Sequence, residues 1–135
     1  MINDSLKKEI LERIYSYPLV DLLQMKVLTL SDGFCEVAAS RNEKFNGIYD
    51  SFHGGLLMTI ADIAAGMAIL TKTGPDIQMA TTDMNIRFLA PCLSDVTAEA
   101  KVIKFGKTMC PVTADLFDSE RQHVAVAQVS YMLLT

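Results

Sequence analysis

The sequence predicts an α+β fold, an antiparallel sheet curled round one long central helix. Three observations carry this. The stretch SFHGGLLMTIADIAAGMAIL, Ser51 to Leu70, is apolar almost throughout, with one carboxylate, Asp62, near its middle. From residue 77 onward the apolar pattern changes to period two, as half-buried strands require. The alternating segments are joined by short turns, and consecutive strands joined in that way pair antiparallel. Such a sheet has one face to bury, and the only long apolar element available to cover it is the helix.

Each element follows from local chemistry. Leu6, Ile10 and Ile14, with Leu11 beside them, recur at helical spacing and predict a helix within residues 1–20. Asp4 or Ser5 can cap it, and Pro18 ends it. Two short apolar runs around SDG then predict a hairpin. The polar stretch RNEKFNGIYDS reads as a loop. The central helix covers 52–72 and closes at Gly74 and Pro75. Four antiparallel strands fill 77–134. In the first, Ala80, Thr82, Met84, Ile86 and Phe88 alternate with Thr81, Asp83, Asn85 and Arg87, until Pro91 stops it. The second alternates Val96, Ala98, Ala100 and Val102 against Thr97, Glu99 and Lys101, and Gly106 supplies a turn. CPVTADLF and HVAVAQVSYMLL are the last two, joined by DSERQ. The whole of 1–135 reads as one domain. The central helix is apolar nearly all round, so burial beyond one sheet is expected from a second copy of the chain.

Composition excludes several classes of function. The net charge is −4 and no basic face is evident, which argues against nucleic acid as a partner. The three cysteines, Cys35, Cys92 and Cys110, are odd in number and far apart, so neither a disulfide framework nor a zinc site is expected. No metal-ligand cluster, Ser-His-Asp set or phosphate loop is present, and no cofactor is implied. The N-terminus has no apolar run of signal-peptide type. The most apolar segment is interrupted by Asp62 and too polar at its edges to span a bilayer. A cytoplasmic protein with no membrane partner is expected.

Asp62 raises the functional question. A buried, unpaired carboxylate is costly, so it has a partner, has a task, or lies on a wet face. His53 stands nine residues before it. On a helix that spacing is roughly 180° of rotation and about 13 Å of rise, so the two cannot form a dyad within one chain. His53, Gly54 and Gly55 can instead shape the helix N-terminus. There, free N–H groups and the dipole favour an anion or a developing oxyanion. The plainer reading of the glycines is a turn, and that of His53 a cap. If Asp62 acts, it acts at a site completed by another subunit. Its Leu, Met and Ile neighbours provide the setting expected of a carboxylate base.

HGGLLMTIADIAAGMAIL, followed by TTDMNIRFLAP and then AEAKVIKFGKT, resembles the hotdog-fold acyl-CoA thioesterases of the PaaI-like type. The resemblance covers about residues 42 to 134. His-Gly-Gly with the nine-residue spacing and both later strand motifs is fairly specific. It implies a hotdog fold assembled as a homodimer or a dimer of dimers (a homotetramer). It also implies hydrolysis of an acyl-CoA to free acid and coenzyme A. Asp62 is then the general base that activates water, or the nucleophile. Gly54 or Gly55 supplies the oxyanion amide from the opposite subunit, and His53 helps to hold the thioester or the loop. Thr81 is the nearest match to the family's water-orienting hydroxyl, with Thr82 one residue away, and alternation permits only one of them to face the site. Met58, Ile63 and Met67 are candidates for the acyl wall, and Lys104 and Lys107, around Gly106, for the coenzyme A phosphates.

One departure matters. The family's loop Asn commonly lies six residues before the His, and that position here is Gly47; a one-residue shift of the loop would restore Asn46, one residue away, to that catalytic place. Asp50 stands where a Gly often falls and could enter the site as a second carboxylate. A non-catalytic acyl-CoA-binding or regulatory module is therefore the alternative to a thioesterase. A hotdog dehydratase ranks last, because it needs an Asp-His pair and only His53 and His123 are available.

Overall fold

The computed structural model describes residues 2–134. The first helix, α1 (Asp4–Tyr15), is capped by Asn3, whose side chain accepts from the Leu6 N–H at 2.8 Å. Asp4 and Ser5, the expected caps, fall one and two places too late and lie in the first turn instead. Pro18 does more than end α1. It occupies the first position of a second short helix, α2 (Pro18–Leu22), where its missing N–H costs nothing. Strands β1 (Met25–Ser31) and β2 (Phe34–Ala39) form the hairpin, turning at Gly33 with φ 74°. A 3₁₀ turn (Glu43–Phe45) and a loop lead into the central helix α3 (Gly54–Thr73). Strands β3 (Gln78–Phe88), β4 (Val96–Val102), β5 (Met109–Phe117) and β6 (His123–Leu134) complete the chain.

All six strands form one antiparallel sheet in the order β1-β2-β4-β5-β6-β3. The order departs from a simple run of neighbours at one point. β3 pairs with β6, not with β4. The reason is the connection after Phe88, which contains Pro91 and passes over the end of the sheet. On the way Leu89 N donates to Val124 O, and Cys92 O accepts from Phe52 N. β3 is thereby left as an exposed edge of 11 residues.

β3 also breaks its own alternation. Thr81 pairs with Tyr131 and Asp83 with Ser130, so Thr82 is the extra residue of a bulge. A bulge reverses the parity of the pleat. The face turned to α3 therefore carries Thr81 before the bulge, and Met84 and Ile86 after it. It is not the single series Ala80, Thr82, Met84, Ile86 that strict alternation predicts.

The helix α3 packs chiefly on β4, β2 and β5. Ala61, Ala64, Ala65 and Ala68 are fully buried and bring the helix close to the sheet, while Ile60 and Ile69 fill the space between. Each such isoleucine contributes about 1.5–3 kcal/mol of burial. α3 is long and apolar enough to cross a membrane by length and composition, yet here it is the core helix of the sheet. Further cover comes from within the chain, since α1 and α2 bury Ile10, Ile14 and Val20 against the same core. The far end of α3 is fixed to the β1–β2 turn, where Gly33 N donates to Thr71 Oγ1 at 2.7 Å and Lys72 pairs with Asp32 at 3.1 Å.

Candidate active site

Most of the sequence-predicted residues gather at two separate places along α3, and Lys104, Gly106 and Lys107 lie apart on the β4–β5 turn. The first is the helix start. His53 is the N-cap, and its Nδ1 accepts from the Gly55 N–H at 2.9 Å. This bond makes Nδ1 the acceptor, so the neutral ring carries its proton on Nε2. Phe45 O receives the His53 N–H, and His53 O accepts from Leu56 N and Leu57 N. Gly55 is thus committed to the imidazole, whereas the Gly54 N–H makes no hydrogen bond among the described residues. A Cβ on Gly55 would stand 2.9 Å from the His53 ring, and one on Gly54 would stand 3.1 Å from Phe88. A pocket of about 400 Å³ opens here between Gly54, Leu57, Phe88 and Pro91.

Asn46 and Asp50 belong to this end. Asn46 Nδ2 donates to Asp50 Oδ1 at 2.7 Å, Arg41 reaches the same oxygen at 2.9 Å, and Arg41 Nε donates to Asn46 Oδ1 at 3.3 Å. Both side chains are occupied by Arg41, which ties the loop down. Gly47, at the family's Asn position, lies against the His53 ring.

The second place is the middle of the helix. Asp62 is half-buried, and its Oδ1 accepts from Thr81 Oγ1 at 2.7 Å. Tyr131 OH lies 2.9 Å from the same Oδ1 and 2.6 Å from the Asp62 carbonyl. Both hydroxyls therefore hold one carboxylate oxygen, and Oδ2 accepts no hydrogen bond among the described residues. Burial pushes the Tyr131 phenol well above its ordinary value, so it stays a proton donor. Gly66, one turn beyond Asp62, makes room for it, since a Cβ there would stand 2.9 Å from the Tyr131 hydroxyl. Thr82 points elsewhere, to Ser130 O at 3.1 Å. The bulge thus makes Thr81 the one of the pair that faces Asp62.

Asp62, Thr81 and Tyr131 line a cavity of about 530 Å³ between α3, β3 and the N-terminal helices. Ile63 and Met67 are in its wall, and Met58 is not. This cavity and the pocket at Gly54 share no lining residue. Lys104 and Lys107 are exposed on the β4–β5 turn, where Gly106 N donates to Met109 O and a Cβ on Gly106 would collide with that oxygen. His123 is at the other end of β5, paired with Asp115 at 2.9 Å and stacked on Phe117. The three cysteines are free and buried, and burial raises the Cys35 thiol to about 12.

Sequence reasoning missed Tyr131 and Gly66. Their only sequence signals are a tyrosine in an apolar strand and a glycine in the interior of a helix. A helical glycine whose missing Cβ admits a phenol is visible only once β6 is laid on α3.

Comparison with known proteins identifies the family and the fold. The thioesterase superfamily matches residues 49–125. A candidate esterase of Saccharolobus solfataricus is 32% identical over 113 residues, covering 83% of this chain and 80% of that one. Acyl-coenzyme A thioesterase 13 of Mus musculus is 27% identical over 117 residues, covering 81% and 80%. Among solved structures, the E. coli PaaI protein of the phenylacetic acid degradation operon superposes with a TM-score of 0.88 at 19% identity, covering 96% of this chain and 94% of that one. At that identity it speaks for the fold alone. The strand order, the central helix and the family match over more than half the chain agree, and this chain belongs to the thioesterase superfamily, a thioester hydrolase on the hotdog fold.

Proposed function

We propose that the chain hydrolyses acyl-CoA thioesters as a homodimer or dimer of dimers, with each active site built from two subunits. The observation that carries this is the state of two groups. Asp62 has one oxygen held by two hydroxyls and the other unengaged at a cavity. Gly54 has an unengaged N–H at the start of the same helix. They are too far apart on one helix to meet, so a second copy must bring them together. The exposed edge of β3 supports this pairing, because an unpaired strand edge is a ready template for its own symmetry mate.

In this reading the thioester carbonyl lies against the Gly54 N–H of one subunit, with the dipole of α3 behind it. Asp62 of the other subunit takes a proton from water through Oδ2, and the hydroxide attacks the carbonyl carbon. The tetrahedral intermediate collapses, the C–S bond breaks, and the departing thiolate receives the proton from Asp62. Direct attack by Oδ2, with water then hydrolysing the anhydride, is the nucleophilic variant. Thr81 and Tyr131 fix the carboxylate, and His53 holds the Gly55 turn. Lys104 and Lys107 form no ion pair among the described residues, which leaves them open to coenzyme A phosphates. Buried, unpaired cysteines suit a cytoplasmic protein.

Thiol release from a panel of acyl-CoA esters tests the proposal. Turnover that vanishes in Asp62→Ala while the protein remains a folded dimer supports it; undiminished turnover refutes the role of Asp62. The engagement of Asn46 with Arg41 and Asp50 favours a second reading, a non-catalytic acyl-CoA-binding module, because no loop amide is then spare to hold water. Tight acyl-CoA binding with no thiol released over hours would select it.

A further inference from the structure

The cavity beside Asp62 has a second charged wall. Arg13, in the last turn of α1, lines it, as does Tyr17 in the connection that follows. Tyr17 lines the same cavity as Asp62 and Tyr131, which sets the N-terminal helices opposite the Asp62 cluster. Between them the wall is apolar, with Ile14, Val20, Ile63, Met67, Leu70 and Met79. Among the described residues Arg13 is the only cation in the lining and Asp62 the only anion, and the two form no ion pair. Nor does Arg13 pair with any other carboxylate among the described residues, although Glu9 lies one turn before it on the helix.

An apolar cavity lined by a carboxylate residue and by an exposed arginine that has no ion pair among the described residues suits a particular acyl group. We propose that it receives acyl chains or rings that carry a second carboxylate distal to the thioester, and that Arg13 is the specificity-determining residue that reads it. The inference rests on the acyl-CoA reading above and adds the substrate class. A guanidinium has donors only and matches a carboxylate in a planar fork, so it discriminates anionic from neutral acyl ends. Without a cation, a second carboxylate brought into a cavity that already holds Asp62 would meet like-charge repulsion. The Arg13 stem can extend the apolar wall while its head meets the acid.

The test uses binding, so that it does not depend on turnover. Two non-hydrolysable thioethers of coenzyme A, hexyl and 5-carboxypentyl, are titrated by calorimetry into the wild-type protein, Arg13→Leu and Arg13→Lys. The readout is the ratio of the two affinities. Wild type is expected to favour the carboxypentyl compound, Arg13→Leu to lower that ratio about tenfold or more, and Arg13→Lys to restore part of it. A wild type that favours the hexyl compound, or a ratio untouched by Arg13→Leu, overturns the proposal. Arg13 is exposed, so both variants are expected to fold. Hydrolysis of hexanoyl-CoA and of adipyl-CoA is measured alongside. Absence of thiol release from both refutes the hydrolase reading and leaves the affinity ratio to judge Arg13 by itself.

Discussion

The start and the middle of α3 hold their functional groups in opposite ways. At the start, everything is local. His53 caps its own helix through Gly55, two residues away, and Asn46 and Asp50 are tied to Arg41 within the same loop. In the middle, Asp62 is held by Thr81 on β3 and Tyr131 on β6, 19 and 69 residues distant in sequence. The start is preorganised by turn chemistry, while the middle is preorganised by the folded sheet. A group that supplies a backbone dipole needs only a fixed turn. In the proposed mechanism Asp62 accepts and returns a proton, which needs its orientation fixed without Oδ2 being blocked, and two strands converging on Oδ1 meet that need.

The largest expected effect falls on the middle. Asp62→Ala should lower kcat for acyl-CoA hydrolysis by about 10²–10⁴ or more, the lower range being that for loss of a general base, with little change in melting temperature. Thiol release and circular dichroism measure the two. A variant that retains full turnover would transfer the chemistry away from Asp62.

The helix start offers a cleaner cut. Gly54→Pro removes the N–H that, at the helix start, makes no hydrogen bond among the described residues. Proline is tolerated at the first helical position, and His53, at φ −59° and ψ 129°, already has the extended backbone that the residue before proline requires. Gly54→Ala keeps the N–H and brings the same contact with Phe88. If that amide stabilises the oxyanion, the Pro variant should lose about 10²–10³ in kcat relative to the Ala variant. Equal rates in the two would leave the helix start with a packing role only.

This contrast also explains what could be read from the sequence. The α+β class, the long helix and the His-Gly-Gly start were legible because they depend on periodicity and on residues adjacent in the chain. The spacing of His53 and Asp62 already excluded a dyad in one chain. The choice of Thr81 over Thr82 was not legible, because it turns on a bulge produced by pairing with β6. The position of β3 beside β6 was hidden for a similar reason, since Pro91 looks like a strand end and not like a route across the sheet. Tyr131 could not be singled out because its partner is 69 residues away and the glycine that admits it reads as a defect in a helix.

The smallest effect is the most specific to the middle of the helix. Tyr131→Phe removes the donor to Asp62 O and Oδ1 and leaves Thr81 as the one remaining side-chain donor. At pH 8 the loss should be about 1 kcal/mol of stability, the usual net value of a hydrogen bond, with a modest fall in kcat. The pH dependence identifies the cause. Burial raises the Tyr131 phenol in the folded state, so from about pH 10 upward the unfolded chain gives up a proton that the folded chain keeps. The unfolded state then binds fewer protons, and this group's contribution to stability declines as pH rises. Phenylalanine has no such proton to lose. The stability gap between wild type and Tyr131→Phe in urea should therefore narrow as the pH is raised from 8 to 11. A gap that is constant with pH would mean that the phenol is solvated in the native protein, and the carboxylate would then lack the fixed donor that keeps Oδ2 turned to the substrate.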